Sequence, residues 1–218
     1  MRIAILYGGV SNERQVSINT GKSVIKYIDN KKHDTISIDF NGDFKNLINE
    51  IKENDINLVF NALHGGDGEN GVLQKEFEKN NIAYTGSNSV SSNKAINKNK
   101  TKQICLQNNI PTALWDIVDR ENDNYLAILN RIKGDNSNLS IVLKPTDEGS
   151  SFDLFILDNV FISENEVSSK FKNLHMQLLK KYDCYMIEEF IKGRELTVGV
   201  LGNKTLPIIE ILPKNNFY

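Results

Sequence analysis

Short apolar runs alternate with stretches of helical periodicity over the first 84 residues, and that alternation dictates a parallel α/β sheet. Arg2–Tyr7 reads as a buried strand, Gly8-Gly9-Val10-Ser11 turns the chain, and Ser11 is placed to cap a helix. Val16, Thr20, Val24 and Ile28 then recur every four residues as a helical stripe. Thr35–Asp39 is a second strand, and Phe44–Glu53 a helix with Leu47, Ile48 and Ile51 on one face. Leu58–Leu63 is a third strand, followed by a glycine-rich loop and a helix through Phe77. Ile82–Tyr84 is a short fourth strand. In such sheets ligands sit beyond the carboxyl ends of the strands.

The pattern then changes. Residues 86–94 form a polar loop suited to a boundary, and lysines punctuate a helix beyond it through about Asn108. Strand-like Ser140–Lys144 runs into the loop from Pro145 to Ser151, with another strand near Asp153–Leu157. Ser163 with Glu166 has the spacing of a capping box and opens a helix through about Tyr182. Tyr185–Phe190 reads as a strand, and Leu196–Leu201 and Thr205–Ile211 flank Gly202-Asn203, a hairpin signal. This second half is α+β and antiparallel in part.

Composition narrows the class. The 218 residues suffice for one large or two small domains, and 39% hydrophobic with 25% charged residues describes a soluble globular chain. A net charge of −2 gives no electrostatic case for nucleic acid or an anionic membrane. Two cysteines, Cys105 and Cys184, make neither a disulfide framework nor a metal cluster, which points to the reducing cytoplasm. The apolar run at Met1–Tyr7 is too short for a signal peptide, and nothing approaches the roughly 18 apolar residues of a membrane span.

Three loops following strands carry the chemical signal. Gly8 to Arg14 is not a GxGxxG turn, so a dinucleotide site is poorly supported; its backbone donors suit an anion, while Glu13 also suits a helix N-terminus. Leu63-His64-Gly65-Gly66-Asp67-Gly68-Glu69-Asn70-Gly71 lets backbone approach a small ligand closely, with His64 at a strand end, as a ligand contact or a packed bystander. Lys144-Pro145 through Ser150-Ser151 combines a cation with fitted N–H and O–H donors, as a triphosphate requires, but is not a Walker A loop. On pattern alone, Lys94, Lys98, Lys100 and Lys102 read as a solvated helix face, and Glu188, Glu189 and Glu195 as surface carboxylates.

In order along the chain, five segments resemble one family. Leu6-Tyr7-Gly8-Gly9-Val10-Ser11-Asn12-Glu13-Arg14-Gln15-Val16-Ser17 resembles the opening loop of D-alanine–D-alanine ligases, and Leu63 to Gln74 their second glycine loop. Tyr84-Thr85-Gly86-Ser87 and Ala95-Ile96-Asn97-Lys98 resemble the entry to the ATP-binding region. Val142-Leu143-Lys144-Pro145 with Glu148-Gly149-Ser150-Ser151 resembles the phosphate-covering loop, and Ile187 to Val198 the adenine-binding strand and its turn. No single motif decides; the series is specific.

That resemblance implies an ATP-grasp enzyme that joins two D-alanines for peptidoglycan. It implies an α/β N-terminal parallel-sheet (pre-ATP-grasp, Rossmann-like) domain over 1–93, an α+β ATP-grasp subdomain over 94–187, and the first strands of a C-terminal ATP-grasp subdomain over 188–218. Glu13 would hold the ammonium of the first D-alanine, with Val16 and His64 beside it. Lys98 and Lys144 would contact ATP phosphates, with Glu148, Ser150 and Ser151 covering them; Glu13 and Ser150 would serve catalysis. Glu188 would accept from the adenine amino group, the Glu189–Phe190–Ile191 backbone would read the adenine edge, and Glu195 would hold the ribose. ATP, Mg²⁺, D-alanine and a homodimer formed through the N-terminal domain complete the implied set.

Two departures from the family accompany it. Phe152-Asp153 stands where the family usually has a small pair such as Val-Gly, placing a ring and a carboxylate where they would slow loop closure or repel ATP. The family also continues for roughly a third of its length, including the Mg²⁺ ligands, so the resemblance implies a shortened member with little turnover of its own. Two other readings stand beside it: another ATP-grasp ligase joining a different carboxylate to an amine or hydroxyl, D-lactate or D-serine as second substrate included, and a non-catalytic substrate-binding or dimerisation module.

Overall fold

The computed structural model describes residues 1–29, 31–135, 139–163 and 166–212. The chain divides into two compact units: Met1–Ile104 with Asp147–Gly149, and Cys105–Thr146 with the described residues from Ser150 onward. No helix among the described residues is long and apolar enough to cross a membrane.

In the first unit a parallel sheet has the order β2-β1-β3, with β1 Arg2–Gly8, β2 Asp34–Phe40 and β3 Leu58–Asn61. As the central strand, β1 buries Ile3, Ala4, Ile5 and Leu6, which is why it reads as a continuous apolar run rather than an alternation. Helix α1, Arg14–Tyr27, lies close on β1: a Cβ at Gly21 would come within 2.6 Å of the Tyr7 Cβ. The inward face of α1 carries Ser17 and Gly21, not the expected Val16 stripe; Val16 is 46% exposed. Close backbone approach requires small residues there, and an apolar-period reading misses small residues. Helix α2, Phe44–Glu53, matches expectation: the Asp43 side chain accepts from Asn46 N at 3.0 Å, and Leu47, Ile48 and Ile51 are buried. Each such side chain contributes about 1.5–3 kcal/mol of burial free energy. Ile82–Tyr84 does not form a full strand; Tyr84 makes one parallel bridge to Val59.

Helices α3, Val72–Lys79, and α4, Ser89–Ile96, follow, so the expected boundary loop is largely helical. Asn88 caps α4, its side chain accepting from Ser91 N at 2.8 Å. Glu78 on α3 binds the start of α4 through Ser89 N at 2.8 Å and Ser89 Oγ at 2.5 Å, and accepts from Tyr84 OH at 2.8 Å. Those bonds, led by the Ser89 hydroxyl, hold the Glu78 carboxyl below its ordinary range. Helix α5 is Lys98–Gln107.

The second unit is built on an antiparallel sheet of order β4-β9-β5-β6: β4 Trp115–Asp119, β5 Ile141–Pro145, β6 Phe155–Leu157 and β9 Cys184–Glu189. Helices α6, Tyr125–Lys133, and α7, Ser169–Lys181, contribute Ile128, Leu129, Ile132, Phe171 and Leu178 to a core shared with Leu143, Tyr185 and Ile187. Short strands β7, Phe161–Ser163, and β8, Glu166–Val167, pair with each other, so Ser163 and Glu166 form no capping box. The cap of α7 is Ser168, whose hydroxyl accepts from Phe171 N at 3.2 Å. His175 is a core residue: Nδ1 lies 2.9 Å from Tyr185 OH and Nε2 lies 3.0 Å from Asp123 Oδ2. Burial pushes the Tyr185 phenol well up. The hairpin of β10, Glu195–Leu201, and β11, Lys204–Ile211, forms as the Gly202-Asn203 signal predicts.

Candidate functional site

In the first unit both glycine loops converge at the carboxyl end of the parallel sheet. Ser17 Oγ accepts from Gly8 N and donates to the Ala62 carbonyl, each at 2.8 Å, tying the loops to α1. Ser11 precedes the N-cap of α1 rather than occupying it; its Oγ accepts from the Glu13 N–H at 3.2 Å and donates to the His64 carbonyl at 2.6 Å. Glu13 occupies the N-cap position, makes no side-chain cap bond, and is 6% exposed.

The Glu13 carboxylate sits between glycines. A Cβ at Gly65 would lie 2.8 Å from Oε2, and one at Gly149 would lie 3.0 Å from Oε1. Gly65 is also at φ +65°, a conformation that side-chain-bearing residues rarely take. Among the described residues no donor hydrogen-bonds this carboxylate. Its oxygens are not among the described side-chain atoms that are both fully buried and unpartnered, so the carboxylate keeps an opening through which a cation can reach it.

His64 is held beside it. Its Nε2 lies 2.9 Å from Thr20 Oγ1, and its Nδ1 lies 3.7 Å from Glu69 Oε1. Sequence reasoning singled out neither Thr20 nor Glu69 for this contact; Thr20 lies two turns beyond Glu13 on α1, a helical spacing that pointed to the same face. Glu13, His64 and Glu69 offer ligand atoms within 4.8 Å of one another. An imidazole nitrogen with two carboxylates suits a borderline metal better than Mg²⁺, which prefers an all-oxygen octahedron.

Next to this group, Asn97 Nδ2 donates to Asp147 Oδ1 at 2.6 Å and the Lys98 ammonium donates to the Glu148 carbonyl. Ser11, Gly66, Asn97, Lys100 and Glu148 are among the residues lining a polar cavity of about 520 Å³.

In the second unit, antiparallel register pairs β9 with both neighbours. Glu188 stands opposite Trp115 and Val142, and Met186 opposite Ile117 and Lys144. One sheet face therefore presents Trp115, Ile117, Val142 and Met186 around an ion pair between the Lys144 ammonium and the Glu188 carboxylate. The Glu189 N–H donates to Leu114 O at 2.8 Å and the Phe190 N–H to Ser140 O at 3.0 Å. The Ile191 N–H has no partner among the described residues, and the side chain is 62% exposed. Glu195 opens β10 and is exposed. Ser150 and Ser151 lie in the loop before β6 at φ +46° and +57°. The Asp153 carboxylate is taken up by Lys181 and Tyr182, so it does not stand open as a repelling charge.

The sequence matches a family model described as the D-ala D-ala ligase N-terminus over residues 2–54 and one described as the D-ala D-ala ligase C-terminus over residues 104–218. It is 36% identical over all its length to a D-alanine–D-alanine ligase of Aquifex aeolicus, covering 69% of that protein. The chain belongs to the D-alanine–D-alanine ligase family. A ligase of Pelagibacter ubique is likewise 36% identical, with 66% of its length covered. The crystal structure of the Bacillus anthracis ligase superposes with a TM-score of 0.82 at 33% identity, covering 96% of this chain and 64% of that one. The same ligase complexed with ATP superposes at 0.80, covering 100% of this chain and 68% of that one. The chain thus spans about two-thirds of the length of these ligases, and the mixed fold of parallel and antiparallel sheets is theirs.

Proposed function

We propose that this chain supplies the first D-alanine site and the nucleotide site of an ATP-dependent ligase that makes D-alanyl-D-alanine for peptidoglycan. The observation that carries the reading is the buried Glu13 carboxylate, which has no donor among the described residues and lies between Gly65 and Gly149 beside His64. An ammonium is the complement of such a group, and a small zwitterion, with little apolar area, must be positioned by charged hydrogen bonds. Val16 flanks this subsite in the reading.

In the second unit, Glu188 accepts from the adenine amino group and Lys144 turns to phosphate oxygens. The Glu189–Ile191 backbone reads the adenine edge, the unpartnered Ile191 N–H being its free donor, and Glu195 holds the ribose. Lys98, Glu148, Ser150 and Ser151 meet the phosphates. The D-alanine carboxylate then attacks the γ-phosphorus of ATP; the bond to the bridging oxygen breaks, ADP leaves, and an acyl phosphate forms. The amine of a second D-alanine attacks the acyl carbon, loses a proton, and expels phosphate. The first step brings two anions together, so fixed cations and hydroxyl and amide donors, with Ser150 among them, lower its barrier. Mg²⁺, when bound, would add charge neutralisation on the phosphates; the Glu13–His64–Glu69 group, with its imidazole nitrogen, does not suit it.

The same reading divides the chain at 1–93, 94–187 and 188–218, places the enzyme in the cytoplasm, and pairs two copies through the first segment. Equilibrium dialysis with labelled ATP, GTP and D-alanine tests it. ATP and D-alanine bind, and GTP binds at least about tenfold more weakly, because guanine presents a carbonyl where Glu188 needs a donor. Failure of both ATP and D-alanine to bind overturns the reading.

A further inference from the structure

Three residues without the freedom of glycine hold the left-handed region within four positions of one loop: Ser150 at φ +46°, Ser151 at +57° and Asp153 at +50°. Such a conformation persists only where the surroundings enforce it. One backbone bond within this loop, Leu154 N to Ser151 O, is long at 3.3 Å. At Asp153, by contrast, Oδ2 accepts from Lys181 Nζ and from Tyr182 OH, both at 2.5 Å. The receiving post is itself fixed. Tyr182 packs on the core of the unit, its N–H donates to Leu178 O at 2.8 Å, and Arg120 donates to Tyr182 O at 3.0 Å and Leu179 O at 2.9 Å.

We propose that Asp153 is a positioning residue: with Lys181 and Tyr182 it latches the Ser150-Ser151 loop to the end of α7 and pre-organises that loop to receive phosphate. The proposal rests on reading Ser150-Ser151 as the phosphate-covering loop. A carboxylate that a sequence comparison would score as hostile to ATP is here neutralised by an ammonium and a phenol. Its work is mechanical. The Asp153 carboxyl is held below its ordinary range, first by the Lys181 bond and then by Tyr182. Of the residue types that tolerate a left-handed backbone, aspartate alone also brings a charge for this post.

The test compares the wild-type chain with Asp153→Ala, Lys181→Ala and Lys181→Arg by amide hydrogen exchange and by ATP titration. Without nucleotide, Asp153→Ala and Lys181→Ala speed exchange at residues 150–154 about tenfold, leave exchange in β9 unchanged, and Lys181→Arg restores protection. With nucleotide, the same two variants raise the ATP Kd about fivefold or more and Lys181→Arg returns it. Unchanged exchange at 150–154 in Asp153→Ala overturns the latch, whatever the ATP result. Faster exchange with an unchanged ATP Kd overturns its role in phosphate binding. If the wild-type chain binds no ATP while exchange responds as stated, the latch stands and the nucleotide reading falls.

Discussion

Lys144 on β5 and Glu188 on β9 close an ion pair across the sheet, with their side chains 17% and 12% exposed. Each is the other's counter-charge in a mostly desolvated place, so neither can be removed alone without leaving a buried charge. Lys144→Ala is expected to cost about 3 kcal/mol of unfolding free energy. The double change Lys144→Met with Glu188→Leu regains most of it while abolishing ATP binding. Urea denaturation with an ATP titration on the same samples reads both; a double variant as unstable as Lys144→Ala would contradict the pairing argument.

Gly21→Ala sets two effects against each other. Alanine in a helix interior is favoured over glycine by about 1 kcal/mol. The new Cβ, however, would lie 2.6 Å from the Tyr7 Cβ, part of a central strand that cannot move aside. Overpacking of this kind costs about 1–3 kcal/mol, so net destabilisation is expected. A thermal melt above that of the wild type would show that α1 does not rest on β1 this closely.

Glu78 predicts a pH dependence. Its carboxyl is depressed by Ser89 and Tyr84, so its contribution is present above the ordinary carboxylate pKa and is lost as pH falls through the lower folded value. The stability gap between wild type and Glu78→Gln should therefore be constant near neutrality and shrink on acidification. Tyr84 shifts the other way: burial, with Glu78, pushes its phenol up to about 12. Its contribution holds below the ordinary phenol value and is lost as pH rises through about 12. Denaturant titrations across pH measure the Glu78 difference; a gap that widens toward acid would contradict the bonding described.

Much of this was legible in the sequence, and for physical reasons. The run Ile3–Leu6, the Leu47/Ile48/Ile51 face and the Gly202-Asn203 turn are local signals, and each forms the element it suggests. Helix α6 lies in a stretch to which the sequence reading assigns no element, although Tyr125, Ile128, Leu129 and Ile132 keep helical spacing behind the polar residues 120–124. Strand β4 lies in the same stretch, and the aspartates of Trp115-Asp116-Ile117-Val118-Asp119 interrupt its apolar pattern. The inward face of α1 misled because a helix resting on a strand uses serine and glycine. In the candidate site, Glu13, His64 and Lys144 lie in loops marked by residue type and position, whereas Glu188 reads on pattern alone as a surface carboxylate and only the family resemblance singles it out. Contacts between distant positions carry no such mark: Thr20 reaches His64 from 44 positions away and Lys181 reaches Asp153 from 28, pairings fixed only by packing.

The Glu13 carboxylate is the point on which the account turns, and D-alanine titration calorimetry on wild type and Glu13→Gln addresses it most directly, with D-lactate as the ligand lacking an ammonium. The expected result is D-alanine binding by wild type, a loss of at least about tenfold in Glu13→Gln from the missing charge-assisted hydrogen bond, and no competition by D-lactate. Equal D-alanine affinity in the two proteins would contradict the assignment of Glu13 as the ammonium site.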